Sequence, residues 1–186
     1  MMQAGRSDSA RHLRCRDLGK AAIVAGAGLG GLLWAGYVLG IRVNLSPSLP
    51  VGLYRVDSGP AANLVEFCPG EPFGLLANAR GYRHAGVCAD GGSPLLKPVV
   101  ARAGDTVTMS PEGVRVNGQP LPNSAPRTRD TAGRLLTPWP FGTYVVKGGT
   151  LWVLSSYHAR SFDSRYFGPI PESAVRVRLQ PLLVVK

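Results

Sequence analysis

The chain has 186 residues, which is room for one ordinary domain and a modest extension, so a multidomain assembly is excluded. Its 21 lysines and arginines against 11 acidic residues give a formal net charge of +10 at pH 7, which suits an anionic neighbour such as phospholipid head groups or nucleic acid. The 24 glycines and 16 prolines favour short strands joined by turns, and the 45% hydrophobic content excludes disorder as the main state.

Residues 21–40 are twenty consecutive positions without a charged side chain. A helix of this length rises about 30 Å, the thickness of the hydrocarbon core of a bilayer. Trp34 and Tyr37 lie toward its far end, where membrane interfaces concentrate aromatic side chains. We therefore predict a transmembrane anchor over 21–40. The alternative is a cleaved signal peptide, for which the apolar stretch is long and lacks a convincing Ala-x-Ala site after it.

Residues 1–20 carry five basic side chains against two aspartates. Because basic residues flanking a membrane helix stay on the cytoplasmic side, we predict a cytoplasmic basic tail over 1–20. Residues 41–186 would then be a periplasmic domain on the outer side of a bacterial inner membrane.

The three cysteines agree with this topology. Cys15 would lie on the reducing side, whereas Cys68 and Cys88 would both lie outside and could close a loop of about twenty residues as a disulfide. Two unpaired thiols are the alternative. No histidine and cysteine cluster has zinc-ligand spacing, so we expect no metal site.

The exported part is predicted to be a mainly β domain. Asn117-Gly118 directly follows an alternating Val-Arg-Val run and predicts a type I′ hairpin turn. The remaining strand-like segments, separated by turn signals, are 63–67, 95–102, 105–109, 143–147, 150–155 and 174–180.

Residues 119–142 are rich in proline, arginine and threonine and predict a surface excursion. Arg127, Arg129 and Arg134 make this excursion basic. Nucleic acid is excluded as the partner by the exported location and by the lack of interleaved aromatic residues. A solvated loop near anionic inner-membrane lipid accounts for the charge.

Three patches carry side chains suited to chemistry. Residues 44–54 place Ser46 and Ser48 in a stiff turn of prolines and glycine directly after the anchor. Lys97 interrupts an apolar strand, where a charged ammonium is costly to bury unless its pKa falls. Residues 161–169 have the sequence SFDSRYFGP, in which Asp163 and Arg165 could form an ion pair at a tight turn.

The order of these patches resembles the signal-peptidase-I-like serine–lysine peptidases over about residues 43–175. The most specific element is Asp-Ser-Arg-Tyr-Phe-Gly at 163–168. Within that family, the runs at 44–54 and 161–169 look most like the TraF-type peptidases of plasmid conjugation, which mature pilin subunits. Residues 155–158 (SSYH) replace the Gly-Asp-Asn-Arg run of housekeeping signal peptidases, which favours the same branch.

This resemblance implies a signal-peptidase-like β domain in which Ser48 is the nucleophile and Lys97 is its general base. A serine hydroxyl is a weak nucleophile until a neighbour removes its proton, and an ammonium cannot do so. An apolar wall of Leu95, Leu96 and Val99 would favour the neutral amine and bring its pKa nearer the working pH.

The resemblance also assigns supporting residues. Ser46 matches the side-chain oxyanion donor that acts beside the backbone N–H of Ser48, and Ser161 matches the serine that orients the lysine. Asp163 and Arg165 match a supporting ion pair, in which the aspartate is expected to be needed for activity in the conjugative branch.

Two other assignments of the catalytic groups are open on spacing. Ser46 is also a candidate nucleophile, although the Ser-x-Pro step from Ser48 to Pro50 favours Ser48. A Ser–His–Asp triad would use His158 and Asp163, but no nucleophile elbow accompanies them, and Lys97 would have no part in it.

The sequence therefore predicts a membrane-anchored serine endopeptidase that matures an exported precursor, a conjugative pilin above all, by hydrolysis or by cyclisation. Its expected partners are that precursor, inner-membrane lipid and components of a conjugative type IV secretion system, and no cofactor or metal is implied. The alternative within the same class is a general signal peptidase I. The alternative of another class is a non-catalytic β scaffold of a conjugative secretion channel.

Overall fold

The computed structural model describes residues 20, 23–24, 26–28, 30–59 and 62–185. The chain divides into two units, Met1–Arg42 and Val43–Lys186. In the first unit the described residues up to 38 are helical, and the apolar side chains of Leu32 and Trp34 are exposed. Among the described residues, no helix combines the length and the apolar character needed to cross a membrane. The predicted tail over 1–20, apart from Lys20, and four positions of the predicted anchor over 21–40 lie outside the described residues.

The second unit is mainly β, as the sequence predicts. The strands of the described chain form a seven-stranded sheet in the order β1-β2-β11-β3-β4-β9-β10 and a four-stranded sheet in the order β7-β6-β5-β8. The elements are β1 (Ile41–Asn44), β2 (Gly52–Val56), β3 (Leu64–Phe67), α1 (Phe73–Ala79), β4 (Leu95–Ala101), β5 (Thr106–Ser110), β6 (Gly113–Val116), β7 (Gln119–Pro120), β8 (Gly142–Val145), β9 (Thr150–Val153), α2 (Ser164–Phe167), β10 (Ile170–Pro171), a 3₁₀ turn (Glu172–Ala174) and β11 (Val175–Val184).

The larger sheet is organised around β11, which pairs antiparallel with both β2 and β3. β3 then pairs antiparallel with β4, in a register that sets Val65 opposite Lys97 and Phe67 opposite Leu95. Directly opposed residues of an antiparallel pair share a face of the sheet. Lys97 therefore lies on the face where Val65, Phe67 and Leu95 join the largest apolar cluster, which also contains Phe162.

The smaller sheet contains the predicted hairpin. Asn117 and Gly118 both have positive φ, at 50° and 80°, as a type I′ turn requires. The turn joins β6 to the short strand β7, and Val107, Met109 and Val114 of this sheet pack in one cluster with Trp152 of β9.

A disulfide joins Cys68 and Cys88, whose Cα atoms are 5.7 Å apart. The loop closed over this 20-residue separation contains α1 and Arg83, and Arg83 forms a buried ion pair with Asp90, which lies just beyond the loop. Arg83 also donates to the carbonyl oxygens of Gly74 and Ser93 at 3.1 and 3.0 Å, so its side chain joins this loop to the segment that follows it.

The excursion over 119–142 is mostly exposed, but it is bound to the domain at several points. The backbone N–H of Trp139 donates to the carbonyl oxygen of Arg165 at 2.7 Å, and the N–H of Arg127 donates to Tyr166 Oη at 3.0 Å. Arg134 differs from the expectation of a simply solvated arginine, because its Nε lies 2.6 Å from Asp130 Oδ2. The excursion is therefore a packed surface loop.

Candidate active site

The turn after β1 is organised by one buried amide. Asn44 Nδ2 donates to the carbonyl oxygens of Ser46, Leu49 and Pro50 at 3.0, 3.3 and 3.1 Å. Asn44 Oδ1 accepts the backbone N–H of Ser46 at 3.2 Å, and Tyr54 Oη donates to the carbonyl oxygen of Pro50 at 2.6 Å. Because both prolines of this turn lack an N–H, side chains supply the hydrogen bonds that hold it.

The turn presents Ser48 to Lys97 of β4. Lys97 Nζ lies 2.9 Å from Ser48 Oγ, although the two residues are 49 positions apart in the sequence. Both are buried, with 7% of Ser48 and 4% of Lys97 exposed. The two residues that the sequence predicts as a catalytic pair therefore form a hydrogen bond in a site shielded from water.

Burial lowers the pKa of Lys97 from its ordinary value of 10.5 to about 8. The cause is desolvation, which penalises the charged ammonium; the carboxylate of Asp163 opposes this effect and the guanidinium of Arg165 adds to it. A lysine with this pKa holds an appreciable neutral fraction near neutral pH, and only the neutral amine can accept a proton.

The apolar wall around Lys97 differs in one residue from the prediction. Leu95 and Val99 belong to the cluster on the lysine's face of the sheet. Leu96 instead packs with the cluster that contains Leu49, because successive side chains of a strand point to opposite faces. The directly opposed Val65, which is 0% exposed, takes the place predicted for Leu96.

Asp163 and Arg165 form the predicted ion pair, and both side chains are 0% exposed. Asp163 Oδ1 accepts Arg165 Nε at 2.8 Å and the Arg165 N–H at 3.2 Å, while Oδ2 accepts Arg165 Nη2 at 2.8 Å and the N–H of Ser155 at 3.1 Å. Each oxygen of the buried carboxylate therefore accepts two hydrogen bonds, one of which comes from Ser155 and the other three from Arg165.

The other guanidinium contacts of Arg165 extend this network. Its Nη1 donates to the carbonyl oxygens of Asn123 and Ala159, each at 3.0 Å, and its Nη2 donates to that of Ser161 at 3.0 Å. Burial acts to lower the pKa of Arg165, but the hydrogen bonds and the charge of Asp163 outweigh it and raise that pKa. The ion pair therefore anchors both the excursion and the segment before α2.

Ser161 lies beside this network, but its hydroxyl is unused in the described part of the chain. Its Oγ is buried without a hydrogen-bond partner, whereas its N–H donates to the carbonyl oxygen of His158 at 3.1 Å. The hydrogen bond expected from Ser161 to Lys97 is not formed.

Ser46 is exposed and contacts the predicted nucleophile twice. Its Oγ lies 2.9 Å from Ser48 Oγ and accepts the backbone N–H of Ser48 at 3.3 Å. The two groups predicted to bind an oxyanion therefore lie side by side and currently bond each other.

The alternative Ser–His–Asp triad is not assembled. His158 Nδ1 accepts the backbone N–H of Arg160 at 3.3 Å. The hydrogen bonds described above engage both oxygens of Asp163 with Arg165 and Ser155, and none of them involves His158. Proton transfer through a histidine has no support in this geometry.

Ser155 is a residue that motif reasoning did not single out. It is 0% exposed, its N–H binds Asp163, and its Oγ donates to the carbonyl oxygen of Ser48. A signal was present in the sequence, because a serine stands here where housekeeping signal peptidases have glycine. The sequence likewise did not predict the role of Asn44, whose hydrogen bonds depend on the conformation of the turn.

Comparison with known proteins identifies the family. Residues 18–183 match the model of the family described as signal peptidase, peptidase S26. A plasmid transfer protein TraF from Escherichia coli is 41% identical over 169 residues, covering 88% of this chain and 94% of that protein. A conjugal transfer protein TraF from Agrobacterium fabrum (strain C58) is 38% identical over 164 residues, covering 86% and 91%. The chain therefore belongs to the signal peptidase S26 family of serine peptidases.

A second Escherichia coli plasmid transfer protein TraF is 35% identical over 174 residues, covering 91% of this chain and 98% of that protein. A solved signal peptidase I from Enterococcus faecalis V583 is 19% identical, with a match that covers 67% of this chain and 99% of that one and a TM-score of 0.36.

Burial of Lys97 should lower the stability of the fold, because the same desolvation that lowers its pKa penalises the charged ammonium. The Lys97→Met variant keeps a similar volume without the charge, so we expect its free energy of unfolding at pH 7 to exceed that of the wild type by on the order of 2 kcal/mol. The unfolded chain binds more protons than the folded one between pH 8 and 10.5, so wild-type stability rises across that window. The advantage of the variant should therefore be full below pH 8 and vanish by about pH 10.5.

Chemical denaturation of both proteins across this pH range measures the difference. The exposed Lys147, changed to Met, is the matched control and should shift stability by less than about 0.5 kcal/mol. A Lys97→Met variant that is less stable at pH 7, or whose difference from the wild type does not change with pH, would contradict the burial argument.

Proposed function

We propose that this chain is a membrane-anchored endopeptidase that matures an exported precursor, a conjugative pilin, through the pair Ser48 and Lys97. The observation that carries the proposal is the 2.9 Å contact between Lys97 Nζ and Ser48 Oγ in a buried site. Membership of a signal peptidase family supplies the reaction class, and relatives named for plasmid and conjugal transfer supply the biological setting.

In the first step, neutral Lys97 accepts the proton of Ser48 Oγ while that oxygen attacks the scissile carbonyl carbon. The resulting ammonium then gives its proton to the leaving amine as the peptide bond breaks. An acyl ester on Ser48 remains, and Lys97 is neutral again for the second step. One lysine thus acts as general base and then as general acid.

The negative charge on the carbonyl oxygen would be held by the Ser48 N–H and the Ser46 hydroxyl. These groups bond each other at 3.3 Å, so this hydrogen bond would have to open for both to bind the carbonyl oxygen of a substrate. Ser46 is exposed, so its hydroxyl can reach a substrate, and a donor that bonds the developing oxyanion stabilises the transition state.

The second step transfers the acyl group to an acceptor. Water gives a shortened linear product, and the amino terminus of the same pilin gives a ring with release of the catalytic serine. Both outcomes use the same acyl-enzyme and the same base. We expect the substrate to have small residues on the acyl side of the cleaved bond, as the chain's membership of the signal peptidase family implies.

For the location, we propose a cytoplasmic tail over 1–20, an anchor over 21–40 and a periplasmic domain over 41–186. The support is the basic tail followed by twenty uncharged residues. The disulfide between Cys68 and Cys88 suits an oxidising compartment. Exposed aliphatic side chains at Leu45 and Leu183 also suit a domain that works next to lipid.

A general signal peptidase I is the second candidate within the same reaction class, and the family membership itself favours it. The two candidates differ in substrate range, because a housekeeping enzyme cleaves many unrelated secretory precursors. A scaffold without catalysis is less well supported, because such a protein would have no use for a buried lysine of lowered pKa that is hydrogen-bonded to a serine hydroxyl.

The first test is the intact mass of a cognate pilin precursor after co-expression with the full chain. We expect a shortened product with wild-type protein and unchanged precursor with the Ser48→Ala variant. A product one water lighter than the linear peptide identifies ring closure, and the full linear mass identifies hydrolysis. Shortening that persists with Ser48→Ala, or no shortening of either the pilin or a general secretory precursor, would refute the proposal.

The Ser46→Ala variant tests which serine attacks. If Ser48 is the nucleophile and Ser46 an oxyanion donor, Ser46→Ala retains cleavage at a kcat lowered by about 100- to 1000-fold, because one such donor contributes roughly 3 kcal/mol. Trapping the acyl-enzyme and locating the modified serine by mass spectrometry checks the assignment. An ester on Ser46 would reverse the two roles.

A further inference from the structure

The hydroxyl of Ser155 has its hydrogen-bonding capacity fully used. It donates to the carbonyl oxygen of Ser48 and accepts the backbone N–H groups of Tyr157 and His158 at 3.2 and 3.3 Å. A hydroxyl offers one donor and two acceptor sites, so none is left over. Ser155 therefore ties the segment after β9 to the backbone of the nucleophile itself.

The same residue connects the nucleophile to the buried ion pair. The N–H of Ser155 donates to Asp163 Oδ2 at 3.1 Å, and the other donors to Asp163 come from Arg165. Asp163 has no hydrogen bond to Lys97 or Ser48 among the contacts of the described chain. Its direct mechanical connection to the reacting serine therefore runs through Ser155.

We propose that Ser155 is a positioning residue that fixes the Ser48 carbonyl, and that the pair of Asp163 and Arg165 acts on catalysis by holding Ser155. This inference rests on the proposed function, and it gives a structural route by which the supporting ion pair of Asp163 and Arg165 would be needed for activity. Fixing the carbonyl restricts the backbone of Ser48, and so keeps Oγ within reach of Lys97 Nζ. Orientation of this kind governs rate more than affinity.

Ser164 provides a matched comparison in the same part of the fold. It is also 0% exposed, and its Oγ accepts a backbone N–H, that of Val153, at 2.9 Å. Its replacement by alanine removes a buried hydroxyl and leaves the N–H of Val153 without this partner, whereas replacement of Ser155 removes a buried hydroxyl that bonds three backbone groups. Ser164 has no hydrogen bond to the nucleophile turn in the described residues, so the two variants separate loss of stability from loss of positioning.

The experiment uses the full chain in detergent and the precursor that the wild type cleaves. Wild type, Ser48→Ala, Ser155→Ala and Ser164→Ala are compared for kcat, KM, single-turnover acylation of Ser48 and thermal unfolding. We expect Ser155→Ala to lower kcat and the acylation rate by about 100-fold with KM within about twofold, since small misplacements of reacting groups have effects of this size. Ser164→Ala should lower the melting temperature similarly and keep kcat within about twofold.

Ser155→Cys is the second variant, because it preserves shape while replacing the hydroxyl with a weak S–H donor. We expect it to fold and to lose roughly tenfold in kcat, between wild type and alanine. If the wild type shows Ser48-dependent cleavage, and both Ser155 variants have a kcat within twofold of that of Ser164→Ala, the positioning role is wrong and the proposed function stands. Absence of Ser48-dependent cleavage in the wild type overturns the proposed function, and with it the role of Ser155.

Discussion

The arrangement of this domain depends on keeping one lysine side chain out of water. Lys97 lies on the apolar face of β4, opposite Val65 and flanked by Leu95, where its charged form is disfavoured and its pKa falls to about 8. Burial without a compensating carboxylate contact is unfavourable for stability. The sheet around β11 supplies the packing that offsets this cost. In the proposed mechanism, the neutral amine that burial favours accepts the proton of Ser48.

The second requirement is that the serine meets this amine at a fixed distance. The turn that carries Ser48 contains two prolines, which lack an N–H, so side chains hold it, one from the adjacent residue Asn44 and one from the distant residue Ser155. Asn44 binds three of its carbonyl oxygens, and Ser155 binds that of Ser48. The buried ion pair of Asp163 and Arg165 accepts a hydrogen bond from the backbone N–H of Ser155, so the most specific motif of the sequence is connected to the nucleophile turn through Ser155.

The sequence predicts local features of this fold well and distant contacts poorly. Six predicted strands and the Asn117-Gly118 turn appear within a few residues of their expected places, because alternation and turn chemistry are local. The strand predicted over 174–180 continues past Pro181 to Val184, and its register with β2 shifts between Pro181 and Leu183. Ser48 and Ser155 are 107 residues apart, and no periodicity reveals their contact. Resemblance to the family predicted that Ser48, Lys97 and the ion pair belong to one site. The face of the sheet that buries Lys97 follows from the register between β3 and β4, which the sequence does not give.

The claim that Lys97 is a neutral base is tested most directly by titrating its amine. Carbon-13 labelling of the lysine side chains in the full chain, with Lys97→Met to assign the signal, gives the protonation midpoint by nuclear magnetic resonance. The account predicts a midpoint near pH 8, coincident with the inflection of the rate of Ser48 acylation. A midpoint near the ordinary lysine value of 10.5, with acylation still rapid at neutral pH, would contradict it.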